Sequence, residues 1–152
     1  MGEHHFAGYE IVASPELFLA AAAERTSRIR LGTGVNSLPY HQPLILADRI
    51  CRLDQQSRGR ALLGVGPGQL PSDAFMMGVD PLRSREMTAD SLDAIVRLLR
   101  GETVTAATEW FALEETRRFA GPDAAFASLR RPEEHVKVLI RPGLAGNAVV
   151  PR

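Results

Sequence analysis

Two adjacent imidazoles and a carboxylate stand near the start of the chain, in Glu3-His4-His5. Imidazole can act as a general base or as a hydrogen-bonding group near neutral pH. A zinc site is disfavoured, because adjacent histidines rarely converge on one metal and the sequence has neither an H-E-x-x-H motif nor a cysteine pair. Two interpretations remain open, a solvated polar segment and a part of a binding or catalytic site.

Two glycine-rich stretches follow the two apolar runs that are most typical of buried strands. The first reads GTGVNS from residue 32, and the second reads GVGPG from residue 64. Glycine lets the backbone approach a flat or anionic ligand closely. Neither stretch completes G-x-G-x-x-G, and no Walker lysine follows. The alternatives are tight turns alone, or a site for a flavin or a sugar phosphate.

Three further residues were considered for chemistry. Arg85 opens a predicted helix after the second glycine-rich stretch and its loop, where a cation can clamp a phosphate, although a solvated surface position is the commoner role of a single arginine. His41 lies between prolines in LPYHQP, which indicates a loop. Cys51 falls in the middle of a predicted helix, where a small buried apolar residue is the usual role.

Helices and strands are predicted to alternate through the first hundred residues. A Ser-Pro-Glu start and an apolar periodicity predict helices, and β-branched or continuous apolar runs predict strands. The predicted elements are a helix over 15–27, a strand over 29–35, a helix over 43–56, a strand over 61–65 and a helix over 84–99. This order predicts an α/β fold whose two strands are parallel neighbours.

Composition limits the classes of function. The 152 residues are 45% hydrophobic and 24% charged with a net charge of zero, which gives no electrostatic case for nucleic acid or an anionic membrane. A single cysteine excludes an internal disulfide, and the longest apolar run near the N-terminus is too short to span a bilayer, so the cytoplasm is expected. Residues 118–152 are rich in Pro, Arg, Ala and Gly, with one possible strand over 135–140, and are separated from a domain over 1–117.

The segments GEHHF, RIRLGTGVNSLPYHQP, LDQQSRGRALLGVGPGQLPSDAFMMGVDP and RSREM follow one another as in a known family. In order and spacing they resemble the bacterial luciferase-like flavin-dependent monooxygenases, from Gly2 to about Phe111. The resemblance implies a (β/α)8 TIM barrel that is incomplete at both ends, because such a barrel has about 250 residues. The chain is therefore expected to be a fragment, with the E-H-H motif closing the second strand of the family's barrel.

The resemblance also implies roles for single residues. His4 matches the active-site histidine at the flavin, and Gly34-Val35 match a non-prolyl cis peptide under the isoalloxazine ring. Arg85 matches an arginine that binds the flavin phosphate, whereas Pro67 replaces another phosphate arginine of the luciferases. The implied cofactor-binding residues are Gly34, Val35, Asn36, Gly66, Gly68 and Arg85. We expect His4, Gly34-Val35 and Gly66 to cluster at one end of the strands, with Arg85 on the rim.

The activity that the resemblance implies is oxygenation of a small organic substrate by O2 with reduced FMN. A flavin reductase would supply the reductant, and a homodimer is the family's usual assembly. One alternative is a hydride-transfer oxidoreductase of the same barrel family that uses coenzyme F420. Another is a non-enzymatic fragment or a dimerisation module built on the first two helices. The short chain alone is expected to be weakly active or inactive.

Overall fold

The computed structural model describes residues 1–5, 12–68 and 70–116. Its helices are α1 (Pro15–Arg25), α2 (Pro43–Ser57), α3 (Pro71–Met76) and α4 (Ser84–Leu99), and a 3-10 turn spans Leu38–Tyr40. A proline at the first position opens α1, α2 and α3, where its missing N–H costs no hydrogen bond. The predictions for α1, α2 and α4 are confirmed to within two residues at each end.

Short parallel strands join the helices. Strand β1 (Leu31–Gly32) pairs with β3 (Ala61–Leu62), and β2 (Asn36–Ser37) pairs with β4 (Val65–Gly66). Both pairs are parallel, which confirms that the two predicted strands are parallel neighbours. The helix–strand alternation with parallel pairing is that of a partial (β/α)8 barrel.

Each predicted strand is interrupted, so the prediction of two continuous strands is wrong. Between β1 and β2 the ladder is replaced by the side chain of Thr33, whose Oγ1 donates to the Gly64 carbonyl at 2.8 Å and accepts from the Gly64 N–H at 3.0 Å. The second run is also not buried on both faces, because Leu62 is 46% exposed. The described elements cover only one side of the β1–β3 pair.

Helix α2 lies between two apolar clusters that hold the parallel strands in place. Towards α1 it contributes Leu53, which packs with Leu19 and Leu31. Towards α4 it contributes Leu46 and Ile50, in a cluster with Leu38 and Ile95. The buried side of α2 is thus divided between two neighbouring helices. On α4, Ala94 and Ile95 are buried, whereas Leu92 is 37% exposed.

Helix α3 and the strands β5 (Ala106–Ala107) and β6 (Ala112–Leu113) were not predicted. Helix α3 follows the second glycine-rich stretch, and β5 and β6 form an antiparallel pair. The pair packs on α4 through a third cluster that includes Val104 and Phe111. Strands of two residues are too short to give a periodic signal in sequence. The possible strand over 135–140 and the remaining tail lie outside the described residues.

Cys51 is buried in α2, as predicted for a small apolar residue. Burial, reinforced by the nearby carboxylates of Asp48 and Asp54, raises the pKa of the Cys51 thiol to about 12. A thiol that stays protonated is a poor nucleophile, since the thiolate is the reactive form. The geometry therefore gives Cys51 a packing role and no catalytic one.

Candidate functional site

A pocket of about 390 Å³ lies beside the carboxyl ends of β2 and β4. It is lined by backbone and small side chains from three places in the sequence: the first residues of the chain and the two glycine-rich stretches with the residues that follow them. The lining residues are Gly2, Glu3, His4, Gly34, Val35, Ser37, Val65, Gly66, Pro67, Gly68, Leu70 and Asp73. This end of parallel strands is where α/β proteins bind their ligands.

The Glu3 carboxylate is the centre of a buried hydrogen-bond network. The His5 Nε2 atom lies 3.0 Å from Glu3 Oε1, and the His41 Nε2 atom lies 2.9 Å from each carboxylate oxygen. The backbone N–H of Ser37 donates to Oε2 at 2.7 Å. Because an ionised carboxylate only accepts hydrogen bonds, both imidazoles donate from Nε2. One side chain thus connects the N-terminal segment, β2 and the loop that carries His41.

The environment of Glu3 favours its ionised form. Burial by itself would raise the pKa of the carboxyl, but hydrogen bonds from His41 and from the Ser37 N–H, with a smaller contribution from His5, outweigh it. The pKa of Glu3 is therefore lowered from the ordinary value of 4.5. A buried carboxylate whose oxygens accept several hydrogen bonds typically shows this opposition, in which burial raises the pKa and the hydrogen bonds lower it.

The backbone of the N-terminal segment is tied to the first glycine-rich stretch. The Glu3 N–H donates to the Val35 carbonyl at 3.0 Å, and the Gly34 N–H donates to the Met1 carbonyl at 2.7 Å. The Gly34–Val35 peptide bond is cis, as the family resemblance implied. These contacts bring His4 to the same side of the strands as Gly34 and Gly66.

Asp73 in α3 is a second buried carboxylate at the pocket. It is 2% exposed, and its Oδ2 accepts the His5 N–H at 3.4 Å and lies 3.8 Å from His4 Nδ1. Its Oδ1 is buried and has no hydrogen-bond partner among the described residues. Close by, the Tyr40 hydroxyl is likewise buried without such a partner, and burial together with the charge of Asp73 raises the pKa of Tyr40.

The structure places most of the predicted site residues together. His4, Gly34, Val35, Gly66 and Gly68 all line the pocket, so the expected clustering of His4, Gly34-Val35 and Gly66 is observed.

Two predicted cofactor-binding residues do not line the pocket. Asn36 is fully buried in β2, and its side-chain amide has no hydrogen-bond partner among the described residues. Arg85 is exposed in the first turn of α4. The binding roles of both residues stay predictions.

Sequence reasoning missed three residues that build the site. The residue pattern gives Glu3 no role of its own, predicts a loop at His41 and gives no signal at Asp73. His41 follows β2 by four residues and Asp73 follows β4 by seven. Because the segments after parallel strands converge at one end of a sheet, the positions of both residues relative to the strands are the signal that indicates them.

The comparisons with known proteins agree with this geometry. The family model for luciferase-like monooxygenases matches residues 1–138. The chain belongs to this family. This match continues beyond Phe111, where the resemblance in the sequence motifs ends. The proposed boundary between a domain over 1–117 and the segment 118–152 stays a prediction. None of the helices over the described residues combines the length and the hydropathy that crossing a bilayer requires.

Individual members of the family are similar over most of this chain and a third of their own length. Limonene 1,2-monooxygenase of Rhodococcus erythropolis is 56% identical over 122 residues, which are 80% of this chain and 32% of that enzyme. The oxygenating constituent of 3,6-diketocamphane monooxygenase from Pseudomonas putida, solved in complex with FMN, superimposes with a TM-score of 0.71 at 27% identity. The match covers 76% of this chain and 34% of that one.

A third similar protein uses a different cofactor. The coenzyme F420-dependent tetrahydromethanopterin reductase of Methanopyrus kandleri superimposes with a TM-score of 0.57 at 27% identity. That match covers 70% of this chain and 35% of the reductase. These neighbours agree with the predicted fold class, an incomplete barrel of the luciferase-like type.

Proposed function

We propose that the described residues form part of the flavin site of a monooxygenase that uses reduced FMN and O2 to oxygenate a small organic substrate. The observation that carries the proposal is the convergence of His4, the cis Gly34–Val35 peptide and Gly66 on one pocket. The FMN complex of the 3,6-diketocamphane enzyme supports the choice of cofactor, because that protein shares the fold.

The pocket fits the flat ring of a flavin better than its phosphate. A Cβ atom built on Gly34 would meet no atom closer than 3.8 Å, so the backbone there offers an open, flat surface. The volume of about 390 Å³ lies within the range of organic ligand sites, about 300–1,000 Å³. The described lining residues include no lysine or arginine, so the phosphate contact of Arg85 is proposed on the family resemblance alone.

The chain's own residues have distinct tasks in this proposal. Bound reduced FMN supplies the electrons with which O2 is activated. The His4 imidazole holds or moves a proton at the pocket, since it lines the wall and a neutral imidazole has one donor and one acceptor nitrogen. Gly34 and Val35 support the ring. Glu3 keeps the first glycine-rich stretch in place through Ser37 and Val35.

The partners follow from the same proposal. The substrate class is a small organic molecule, as the names of the similar monooxygenases indicate. A separate flavin reductase supplies reduced FMN, and the complete enzyme is a homodimer in the cytoplasm. Hydride transfer with coenzyme F420 is the second candidate, which the similarity to the Methanopyrus reductase supports.

A chimera tests the proposal, because the chain spans only 32% of its relative. The aligned residues of the Rhodococcus limonene enzyme are replaced by those of this chain. We expect the chimera to bind reduced FMN and to consume oxygen when limonene is added. A folded chimera that binds neither FMN nor F420 would contradict a flavin site here, and one that binds F420 alone would favour the second candidate.

The chain itself is examined in parallel by anaerobic titration with reduced FMN, with riboflavin as the control that carries the ring without the phosphate. Weak binding of both compounds is expected. Tight binding with turnover would show that residues 1–152 suffice and that the fragment expectation is wrong.

A further inference from the structure

We propose that Asp73 is a positioning residue for His4, and that its carboxylate determines which ring nitrogen of His4 carries the proton. The inference rests on the proposed flavin site and adds a residue that neither the sequence nor the family resemblance selected. It concerns how the imidazole is prepared for proton handling at the pocket.

The burial of Asp73 demands an explanation. A carboxylate that is 2% exposed has lost most of its contact with water, and such groups are normally paired or fully hydrogen-bonded. Asp73 has one backbone donor, the His5 N–H at 3.4 Å, and its Oδ1 has no partner among the described residues. A buried carboxylate with an unfilled acceptor position lowers the stability of the fold, so its place beside an imidazole indicates a functional role.

The orientation of the His4 ring gives the carboxylate its effect. Nδ1 lies on the side of Asp73, 3.8 Å from Oδ2, and Nε2 lies on the side of Gly2, where a built Cβ would be 3.5 Å away. A negative charge beside Nδ1 stabilises a proton on that nitrogen and disfavours a lone pair there. The 3.8 Å distance exceeds a hydrogen bond, and catalytic hydrogen bonds often shorten only when the substrate complex forms.

The proton arrangement at His4 is therefore opposite to that of the two neighbouring histidines. His5 and His41 donate to Glu3 from Nε2, whereas His4 carries its proton on Nδ1 towards Asp73. In that tautomer Nε2 of His4 carries the lone pair. The two buried carboxylates, Glu3 and Asp73, thus give the adjacent imidazoles of His5 and His4 different tautomers.

A purely structural role for Asp73 is the competing explanation. Asp73 lies in the first turn of α3, where an acidic side chain stabilises the positive end of a helix. An exposed carboxylate would serve that purpose equally well. The Asp73 carboxylate instead points inward and accepts the backbone N–H of His5. The two roles can be distinguished, because only a positioning role makes the tautomer of His4 depend on the charge of Asp73.

The experiment is 15N NMR of the imidazole nitrogens in the 152-residue chain, recorded near pH 8, where histidines are usually neutral. The 15N shifts distinguish the two tautomers, and a His4→Gln variant assigns the His4 signals. We expect the Nδ1–H form at His4 and the Nε2–H form at His5 and His41. The Asp73→Asn variant is expected to lose the Nδ1–H form at His4 alone, and Asp73→Glu to retain part of it.

The matched control is Asp93→Asn, which removes an exposed carboxylate of α4 and should leave all three histidines unchanged. An Nε2–H form at His4 in the unmodified chain would overturn the inference, whatever the stability of the variants. So would an unchanged His4 in folded Asp73→Asn, which would leave only the helix role. No flavin is needed, so a failure of the proposed function appears separately, as a chimera that does not bind FMN.

Discussion

The two glycine-rich stretches have similar sequences and different surroundings. In the second, a Cβ on Gly64 would lie 2.2 Å from the Thr33 carbonyl oxygen, and one on Gly66 would lie 2.7 Å from Val35 Cγ2. In the first, the nearest atoms to a Cβ on Gly32 and Gly34 would be 3.4 Å and 3.8 Å away. The second stretch therefore requires glycine for close packing, whereas the first has room for a methyl group.

The first stretch is hydrogen-bonded to the N-terminal segment, and the second is hydrogen-bonded to the first and packs closely against it. Glu3 donates its backbone N–H to Val35 and accepts the Ser37 N–H through its side chain. The missing side chain of Gly34 therefore leaves space at the pocket, whereas that of Gly64 lets its backbone approach the backbone of Thr33. The same residue type thus leaves open space at the pocket at one strand end and allows close packing at the other.

The largest effect is expected from Gly64→Ala. The new methyl would meet backbone, so β2 and β4 must separate and the hydrogen bond from the Asn36 N–H to the Gly64 carbonyl, 2.9 Å, would be lost. Overpacking of this kind costs about 3 kcal/mol. Urea unfolding of the variant measures the loss, and Gly32→Ala is the control, with a cost below about 1 kcal/mol. Equal losses in both variants would remove the difference between the two stretches.

Glu3→Gln tests the hydrogen bonds that hold the first stretch. The neutral amide cannot accept from Ser37, His5 and His41 with the strength of a carboxylate, and it brings two donors of its own into a buried site. We expect a loss of about 2 kcal/mol in the free energy of unfolding. A change below the error of the urea titration would show that the hydrogen bonds of the Glu3 carboxylate do not stabilise the first stretch.

The same carboxyl predicts a dependence of stability on pH. The pKa of Glu3 in the folded chain is lowered from 4.5, so its contribution is fully present above that pH and disappears as the pH falls through the folded-state pKa. The free energy of unfolding, measured from about pH 6 to about pH 3, should fall less steeply in Glu3→Gln than in the unmodified chain. Parallel curves for the two proteins would contradict this assignment.

Gly66→Ala is expected to have an intermediate effect. Its methyl would meet the Val35 side chain and not backbone, and Val35 is 36% exposed and can move towards the pocket. We expect a loss of about 1 kcal/mol in stability. In the chimera, FMN binding should weaken as well, since the displaced Val35 lines the site. Unchanged binding would indicate that the ring does not rest on Val35.

The smallest effect on stability is expected from Gly34→Ala. The added methyl has open space, so the free energy of unfolding should change by less than about 0.5 kcal/mol. The methyl projects at the pocket, so FMN binding by the chimera should weaken, whereas Gly32→Ala, which is outside the lining, should bind normally. Equal binding by the two variants would place the ring elsewhere.

Much of this arrangement could be predicted from the sequence. The bounds of α4 follow from its apolar periodicity, and the proline starts of α1 and α2 are local signals. The strand interruptions could not be predicted, because Thr33 replaces ladder bonds with its side chain only once Gly64 lies opposite. Helix α3 was missed because six residues carry too little periodicity to distinguish a helix from a loop.

The sequence by itself determined the helix–strand alternation, the parallel pairing and the presence of glycine at both strand ends, because these depend on local propensity and on the order of elements. Only the tertiary structure decided which groups meet the two buried carboxylates. Glu3 reaches the His41 imidazole across 38 positions, and Asp73 accepts the backbone N–H of His5 across 68. Such contacts form because loops converge at the strand ends, and the number of residues between two partners does not predict how close they lie in space.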